Sequence, residues 1–367
     1  MVGVSLNKLC LRYFRCFKQF DLEGIDQPVA IIGQNGTGKT TILEAISLLS
    51  PGRGIRSAPS KSIHTVNTEG QWKVSAELTT GETERLWVDT YCDPGQTRRV
   101  SLCDKGIQQV KLNEVIKILW ISPAMDRIWN DSPESRRKFL DRIAMSLFPD
   151  HPTQANRYLK ALKERNLLLR DQIINNSWYN SLEERMAEYG SVLTQNRLQT
   201  LEYITDSLLQ SQQEVVPALK LIHPEPRNQP IISASKEILM EAWQAMRTKE
   251  IQARRTLDGP HRMDLEVIYT KKGMPAKLCS TGEQKILLLA IVMAAARVLK
   301  HQLGMPPILL FDEFVAHLDQ ANRKLLVDEI KHMQLQVWMT STETEVFRKL
   351  AQDFVIFEAP KFTLNLS

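Results

Sequence analysis

Little in this sequence points to a membrane or to an oxidising compartment. No run reaches the roughly 18 to 20 apolar residues that a membrane span needs, and the first 14 residues lack an uninterrupted apolar core after a basic start and a small-residue cleavage site. A transmembrane subunit is thereby excluded, and the cytoplasm is the expected compartment. The five cysteines, Cys10, Cys16, Cys92, Cys103 and Cys279, are odd in number and far apart, and none stands at a short spacing with histidine that would suggest zinc. They read as reduced thiols. Internal repeats and low-complexity tracts are absent as well. What remains is ordinary globular material, 43% hydrophobic and 24% charged, in 367 residues that allow one large or two medium domains. A net charge of +5 is a mild basic bias, which permits a polyanionic partner without demanding one.

Short alternating runs fill the chain from Val4 to about Lys111, among them Trp72-Lys73-Val74-Ser75-Ala76-Glu77-Leu78 and Leu86-Trp87-Val88-Asp89-Thr90-Tyr91. Their period of two predicts strands of a mixed sheet. Within them lies a different unit: the apolar strand Val29-Ala30-Ile31-Ile32, a glycine-rich turn, and a helix-like run from Thr40 to Leu49. From about Ser132 to Thr256 the period becomes helical, with Leu159, Leu162, Asn166, Leu169 and Ile173 in one series and Leu182, Met186, Tyr189 and Leu193 in a second. Packed helices or a short antiparallel arm are expected there, interrupted by a loop at His223-Pro224-Glu225-Pro226-Arg227-Asn228-Gln229-Pro230. Strand character returns at Leu265–Tyr269, followed by a helix from about Gly282 to Leu299 and buried strands at 307–311 and 336–339. Sheet, helices and sheet again is the order of an α/β head carrying an inserted helical domain. The expected division is 1–131 and 257–367 for the head, 132–256 for the insert.

Gly33-Gln34-Asn35-Gly36-Thr37-Gly38-Lys39-Thr40 matches GxxxxGK followed by Ser or Thr, between an expected strand and an expected helix. Glycines let such a loop curl so that backbone N–H groups point inward at phosphates, and the following helix adds its positive end. Residues 33 to 40, with Thr41 next in the helix, are the expected ATP-binding stretch. Lys39 reaches the β- and γ-phosphates, and the Thr40 hydroxyl is placed to ligate magnesium. A second signal is Ile308-Leu309-Leu310-Phe311-Asp312-Glu313, an apolar strand ending in two carboxylates. Asp312 at the strand's end suits the magnesium and Glu313 the attacking water; the plain alternative is a solvated acidic turn.

Leu278-Cys279-Ser280-Thr281-Gly282-Glu283-Gln284-Lys285 resembles the ABC signature, LSxGE or LSxGQ in type. That resemblance implies that Ser280 and the N–H groups around Gly282 act on the ATP held by the opposite subunit; an ordinary Ser/Gly helix cap is the plain alternative. Ala316-His317-Leu318-Asp319 looks like the D-loop that crosses such an interface, which adds Asp319 to Lys39, Glu313 and Ser280 as expected catalytic residues. The switch histidine of transporter ATPases should follow the next strand, but that strand ends Thr340-Ser341-Thr342. A transporter ATPase is disfavoured, and the γ-phosphate sensor is left unassigned.

Four further segments resemble the RecF family, an ABC/SMC-type ATPase family of DNA repair. Leu11-Arg12-Tyr13-Phe14-Arg15-Cys16-Phe17 looks like its FRNY element. Ser122-Pro123 through Asp126, then Ser132-Pro133-Glu134-Ser135-Arg136-Arg137-Lys138-Phe139-Leu140-Asp141, look like its SP…D and GxPxxRRxFLD patterns. Gly259-Pro260-His261-Arg262-Met263-Asp264-Leu265 looks like GPHRDDL. The chain departs from these patterns at Cys16-Phe17, Asp131 and Met263, and Arg136-Arg137 also reads as a solvated helix face.

The resemblance implies an ATPase head that binds ATP and magnesium and dimerises head-to-tail around two ATPs. It further implies binding to gapped, single-stranded or duplex DNA, and action with RecR-like and RecO-like mediators to place recombinase at gaps. Hydrolysis is expected to be slow, stimulated by DNA, and to reset the dimer. Arg157, Lys160, Lys163, Arg165 and Arg170 on the helical insert are candidate DNA contacts. The competing readings are a stand-alone ABC-type ATPase of a defence system and a scaffold that uses ATP only as a dimer switch.

Overall fold

Strands that are apolar at every position need cover on both faces, whereas strands that alternate need it on one. Both kinds occur here and they segregate. The structure, a computed structural model of the chain, describes residues 4–25, 27–65, 70–81, 84–211, 216–223, 229–232, 235–343, 345, 347 and 354–359. The chain divides into two compact units, 1–126 with 296–367, and 127–295.

The first unit begins with β1 (Ser5–Phe14), β2 (Phe17–Glu23), β3 (Val29–Ile32), α1 (Lys39–Ser47), β4 (Trp72–Thr80) and β5 (Glu84–Cys92). It continues through β6 (Arg99–Leu102), β7 (Lys105–Ile107), α2 (Leu112–Val115) and β8 (Ile118–Ile121). The second unit holds α3 (Pro133–Leu147), α4 (His151–Arg170), α5 (Asn176–Gln210), β9 (Pro217–Ile222), α6 (Lys236–Ala253), β10 (Asp264–Tyr269) and β11 (Met274–Pro275). The boundary at 295 falls within α7 (Thr281–Leu303), after which β12 (Ile308–Phe311), α8 (Gln320–His332), β13 (Val337–Ser341) and β14 (Val355–Glu358) return to the first unit.

The strands expected as one mixed sheet between 4 and 111 sort into two sheets by pairing sense. The alternating ones form an antiparallel six-stranded sheet, β2-β1-β4-β5-β6-β7. The continuously apolar β3 leaves them and joins the later strands in a five-stranded parallel sheet, β14-β3-β13-β12-β8. All four residues of β3, β8 and β12 are buried. A parallel sheet of this kind brings the carboxyl ends of its strands to one edge, where ligands bind in α/β folds. The loop after β3 and the carboxylates after β12 are thereby brought together.

In the second unit α4 and α5 pack on one another with α6, burying Tyr158, Ala161, Leu162, Met186, Ala187, Leu193 and Trp243. Trp243 is fully buried, and its indole N–H donates to the Asp258 carbonyl at 2.8 Å, which satisfies the one polar atom the ring carries. The second apolar series, Leu182, Met186 and Leu193, lies on this face. The first departs at its start: Leu159 is 53% exposed, whereas Leu162 and Leu169 lie on the buried stripe of α4 with Tyr158, Ala161 and Arg165.

The helical insert is also interrupted by a strand that periodicity did not reveal. β9 pairs antiparallel with β10 over six residues, from Pro217↔Tyr269 to Ile222↔Asp264. Six residues opening on proline are too few to stand out between long helices. Because of this pairing, and because Trp129 and Asn130 hydrogen-bond to Gln284, residues 257–295 group with the helices, beyond the expected end of the insert at 256. Of the expected loop, residues 224–228 lie outside the described residues; around them the His223 N–H donates to the Gln229 carbonyl at 2.8 Å and Ile222 bridges Pro230. Finally, α7 is long and apolar enough in composition to cross a membrane, a feature the search for uninterrupted apolar runs passed over. Of its most apolar window 67% is buried inside the protein, which accounts for the composition.

Candidate nucleotide site

The phosphate loop starts where β3 ends. The Gly33 N–H donates to the Ser341 carbonyl at 3.2 Å, which fixes the loop's first residue to the end of β13. Gly36 (φ 82°) and Gly38 (φ 92°) hold left-handed conformations that side-chain-bearing residues rarely adopt, and Gly38 caps α1. The loop is stapled across by the Thr37 hydroxyl, which donates to the Gln34 carbonyl at 2.8 Å. Asn35 and Gln34 complete the turn, and Thr41 is buried in the first turn of α1. The Lys39 ammonium is 5% exposed; it donates to the carbonyls of Gly33 (2.7 Å) and Gln34 (3.1 Å) and lies 3.2 Å from Glu313 Oε1. All of its partners are acceptors, which are what a triphosphate's oxygens would replace.

Across the sheet's edge, Asp312 is buried directly after β12. Its Oδ1 accepts from the hydroxyls of Thr40 (2.9 Å) and Thr340 (2.8 Å). Burial raises its pKa above the ordinary carboxylate value, opposed by those two hydrogen bonds and helped by the Glu313 charge. A cation at this point would relieve the penalty. Glu313 has φ 52°, a left-handed strain of about 1–3 kcal/mol for a residue with a side chain. It is held by Thr340 Oγ1, which accepts from its N–H at 2.8 Å, and by the Thr342 N–H, which donates to its Oε2 at 3.2 Å.

The oxygens of Thr40 and Asp312 are hard donors of the kind magnesium takes. Among the described residues no group of three or more His, Cys, Asp or Glu could hold a metal with protein ligands alone. A site with one carboxylate and one hydroxyl suits magnesium, which keeps waters and shares nucleotide phosphates.

Sequence reading missed the charges beneath the loop. Glu44 of α1 is fully buried, and Arg15 reaches it twice, Nε at 3.0 Å and Nη2 at 2.6 Å, with Arg56 at 3.4 Å. Arg15 belongs to the FRNY-like element, so that segment is a hairpin turn tied to the helix that follows the phosphate loop. The usable signal was an acidic residue inside the largely apolar run Ile42–Leu49.

Ser280 and Gly282 stand exposed at the start of α7. The Ser280 N–H and hydroxyl both donate to Glu283 Oε2 at 2.9 Å, and the Glu283 N–H donates back to Ser280 Oγ at 3.4 Å. This reciprocal pair is a capping box. The Lys272 ammonium, then the Ser280 donors, hold the Glu283 pKa down to about 2. Nothing lies within 4 Å of a side chain built on Gly282. The plain helix cap is therefore present, and it leaves Gly282 open to a ligand from outside the chain. Asp319 is likewise a cap: it accepts from the Asn322 N–H at 2.8 Å at the start of α8.

The RecF-like segments 132–141 and 259–265 meet in the second unit. Arg136 forms a bidentate pair with Asp264 (2.8 Å twice) and donates to the Asp131 carbonyl at 2.6 Å, while Arg137 donates to the Met263 carbonyl at 2.6 Å. Asp141 holds Arg197 (2.7 and 2.9 Å), which donates to the Pro260 carbonyl at 2.6 Å. The two arginines are a clamp between α3 and β10 rather than a solvated face. Met263 is buried, with its sulfur 3.7 Å from the Thr194 hydroxyl and 3.9 Å from Arg197. Among the basic residues of the insert, Arg157, Lys160, Lys163 and Arg170 are exposed. Arg165 is fully buried and salt-bridged to Glu183 (2.8 Å) and Glu250 (2.6 Å), so it cannot be a DNA contact.

Comparison with known proteins gives the family. Residues 5–363 match the family model of the RecF/RecN/SMC N terminal domain. The chain is 35% identical over 370 residues to the DNA replication and repair protein RecF of Rhizobium etli (strain CIAT 652), covering 95% of each, and 34% identical to that of Brucella suis biovar 1 (strain 1330), covering 96% of this chain and 94% of that one. In fold it is similar to the recombination mediator protein RecF-ATP in the RecFOR pathway, with a TM-score of 0.82 at 22% identity and 93% of each chain covered. A Smc head domain from Pyrococcus furiosus gives a TM-score of 0.53 at 17% identity, over 97% of this chain and 94% of that one.

Proposed function

The chain belongs to the RecF family of DNA replication and repair proteins, and from that membership we propose that it is a DNA-binding ATPase that dimerises on ATP at single-strand gaps. The observation that carries the reading is the hydrogen bond from Thr40 to Asp312, which unites the phosphate loop and the carboxylate strand across 272 positions of sequence. ATP lies on residues 33 to 41, with Lys39 against its phosphates. Thr40 and Asp312 hold magnesium, which neutralises phosphate charge when bound. Glu313 accepts the proton of the attacking water as the water oxygen bonds to the γ-phosphorus and the bond from that phosphorus to the β–γ bridging oxygen breaks, so that ADP and phosphate leave. Ser280, Gly282 and Asp319 act on the nucleotide of the opposite subunit.

Hydrolysis is weak, stimulated by DNA, and resets the dimer. The partners are gapped, single-stranded or duplex DNA and RecR-like and RecO-like mediators, in the cytoplasm. The proposed functional head is 1–131 and 257–367, although 127–131 and 257–295 pack in one unit with the insert, 132–256, whose exposed Arg157, Lys160, Lys163 and Arg170 meet DNA phosphates.

Phosphate release with and without each DNA tests the reading, together with calorimetry of Lys39→Met. Lost nucleotide affinity in that variant and DNA-stimulated release in the wild type support it. Unchanged affinity removes the phosphate-loop assignment. DNA binding weakens with salt by a log–log slope of about −0.9 per phosphate contact, and charge reversal at Lys160 and Lys163 flattens that slope if the insert is the contact.

A further inference from the structure

The end of β13 carries a residue that the reaction above does not use. Thr340 is fully buried, on the strand lying between β3 and β12. Its hydroxyl has one proton to give and lone pairs to receive. It gives the proton to Asp312 Oδ1 at 2.8 Å and receives the N–H of Glu313 at 2.8 Å. One side-chain oxygen is therefore bonded to both carboxylate residues, and the backbone it holds is the left-handed one at Glu313, φ 52°. The neighbours along the same strand end extend the grip: the Ser341 carbonyl accepts from Gly33, and the Thr342 N–H donates to Glu313 Oε2. Phosphate loop, metal carboxylate and water-activating carboxylate all hang from three consecutive residues.

We propose that Thr340 is a positioning residue, whose hydroxyl locks Asp312 and Glu313 into one rigid unit so that metal binding and water activation stay in register. The inference rests on the ATPase reading of the site and deepens it. A buried threonine with a merely structural role would set stability alone. A hydroxyl that orients a metal-binding carboxylate sets the magnesium requirement of nucleotide binding and the turnover as well, since partners one bond removed from a metal site cost about 10- to 100-fold in metal affinity or activity when removed. The nucleotide's grip on Lys39 and the loop glycines does not pass through Thr340.

The test compares full-length wild type, Thr340→Val and Thr340→Ser, with Thr340→Ala in place of valine if valine does not fold. Three quantities are read: thermal midpoint, the magnesium concentration giving half-maximal affinity for a fluorescent ATP analogue, and the steady-state kcat and KM for ATP. We expect Thr340→Val to need about tenfold more magnesium and to lose about 10-fold or more in kcat with KM at saturating magnesium little changed, and Thr340→Ser to recover most of both. An unaltered magnesium requirement in a folded Thr340→Val protein overturns the inference, as does a serine variant no better than valine. If the wild type binds magnesium–ATP without hydrolysing it, the magnesium titration still decides. If the wild type does not bind ATP at all, the parent reading and this inference fall together, an outcome seen in the wild-type arm alone.

Discussion

At the scale of the residue, chemistry here is set by what buries a group and what faces it. His261 illustrates this away from the nucleotide. Its ring sits against Tyr158, whose hydroxyl lies 2.8 Å from Nδ1, while Nε2 faces the Thr256 carbonyl at 3.4 Å. With Nε2 carrying the proton, the neutral ring gives and receives one bond each. Burial pushes the pKa down to about 4, with Arg262 and Arg137 adding to the effect and the Thr256 carbonyl and Asp258 opposing it. A group whose folded pKa lies below its unfolded value of about 6.5 binds its proton less tightly when folded. Its contribution is therefore complete above about pH 6.5 and is lost as pH falls towards about 4, a change on the order of 2–3 kcal/mol. Urea unfolding at pH 7.5 and pH 5 should give a drop for the wild type that is smaller for His261→Gln. Equal drops in both would assign the acid sensitivity to other groups.

At the scale of the element, α4 shows how a helix can carry a charge on its buried stripe. Arg165 occupies a position that periodicity assigns to the core, and it is accommodated because α5 supplies Glu183 and α6 supplies Glu250. Nη1 also donates to the Thr256 hydroxyl at 2.8 Å, and the guanidinium lies 5.7 Å over the Tyr179 ring. Arg247 also donates to Glu183. Removing one partner of a buried ion pair strands the other, which costs about 3–5 kcal/mol. Arg165→Ala should lower the unfolding free energy by about that amount, whereas Lys163→Ala, on the exposed face, should change it by less than about 0.5 kcal/mol. Equal effects by chemical denaturation would contradict the burial of Arg165. The same helices show why the first apolar series departs from the buried stripe at Leu159. Leu159 satisfies the three-and-four spacing as well as Tyr158 does, and only the packing against α5 and α6 selects between them.

At the scale of the whole molecule, the site is divided between chain segments. Lys39, Thr40, Asp312 and Glu313 meet within one unit, whereas Ser280 and Gly282 belong to the other and stand exposed. On the proposed sandwich, Ser280→Arg keeps every group that binds ATP in its own subunit and spoils the surface offered to the partner. Sedimentation with ATP and magnesium should find Ser280→Arg monomeric with nearly intact nucleotide affinity. Glu313→Gln retains the residue's reach and loses the charge proposed to receive the water's proton, so it should stay dimeric without turning over. Mixing Ser280→Arg with Lys39→Met subunits restores one intact site per heterodimer. A Ser280→Arg protein that dimerises normally would sink the sandwich while leaving ATP binding untouched.

What the sequence determined by itself is the chemistry that lives in backbone conformation and in short runs. Left-handed turns favour glycine, so Gly36 and Gly38 mark the phosphate-loop motif. A strand covered on both faces must be apolar throughout, so β3 and β12 read as buried strands, the second ending in two carboxylates, although their shared parallel sheet does not show in the sequence. Capping needs a Ser or Asp three residues before its partner, which is legible at Ser280. The tertiary structure alone decided the rest, because burial and pairing of a charged or hydroxyl group depend on residues far away in sequence. Thr340 is an ordinary strand threonine until β13 lies beside β12. β9 is six unremarkable residues until β10 pairs with it. Arg165 passes for a solvated cation on a basic insert until Glu183 and Glu250 close over it, since no local pattern records a partner 18 or 85 residues on.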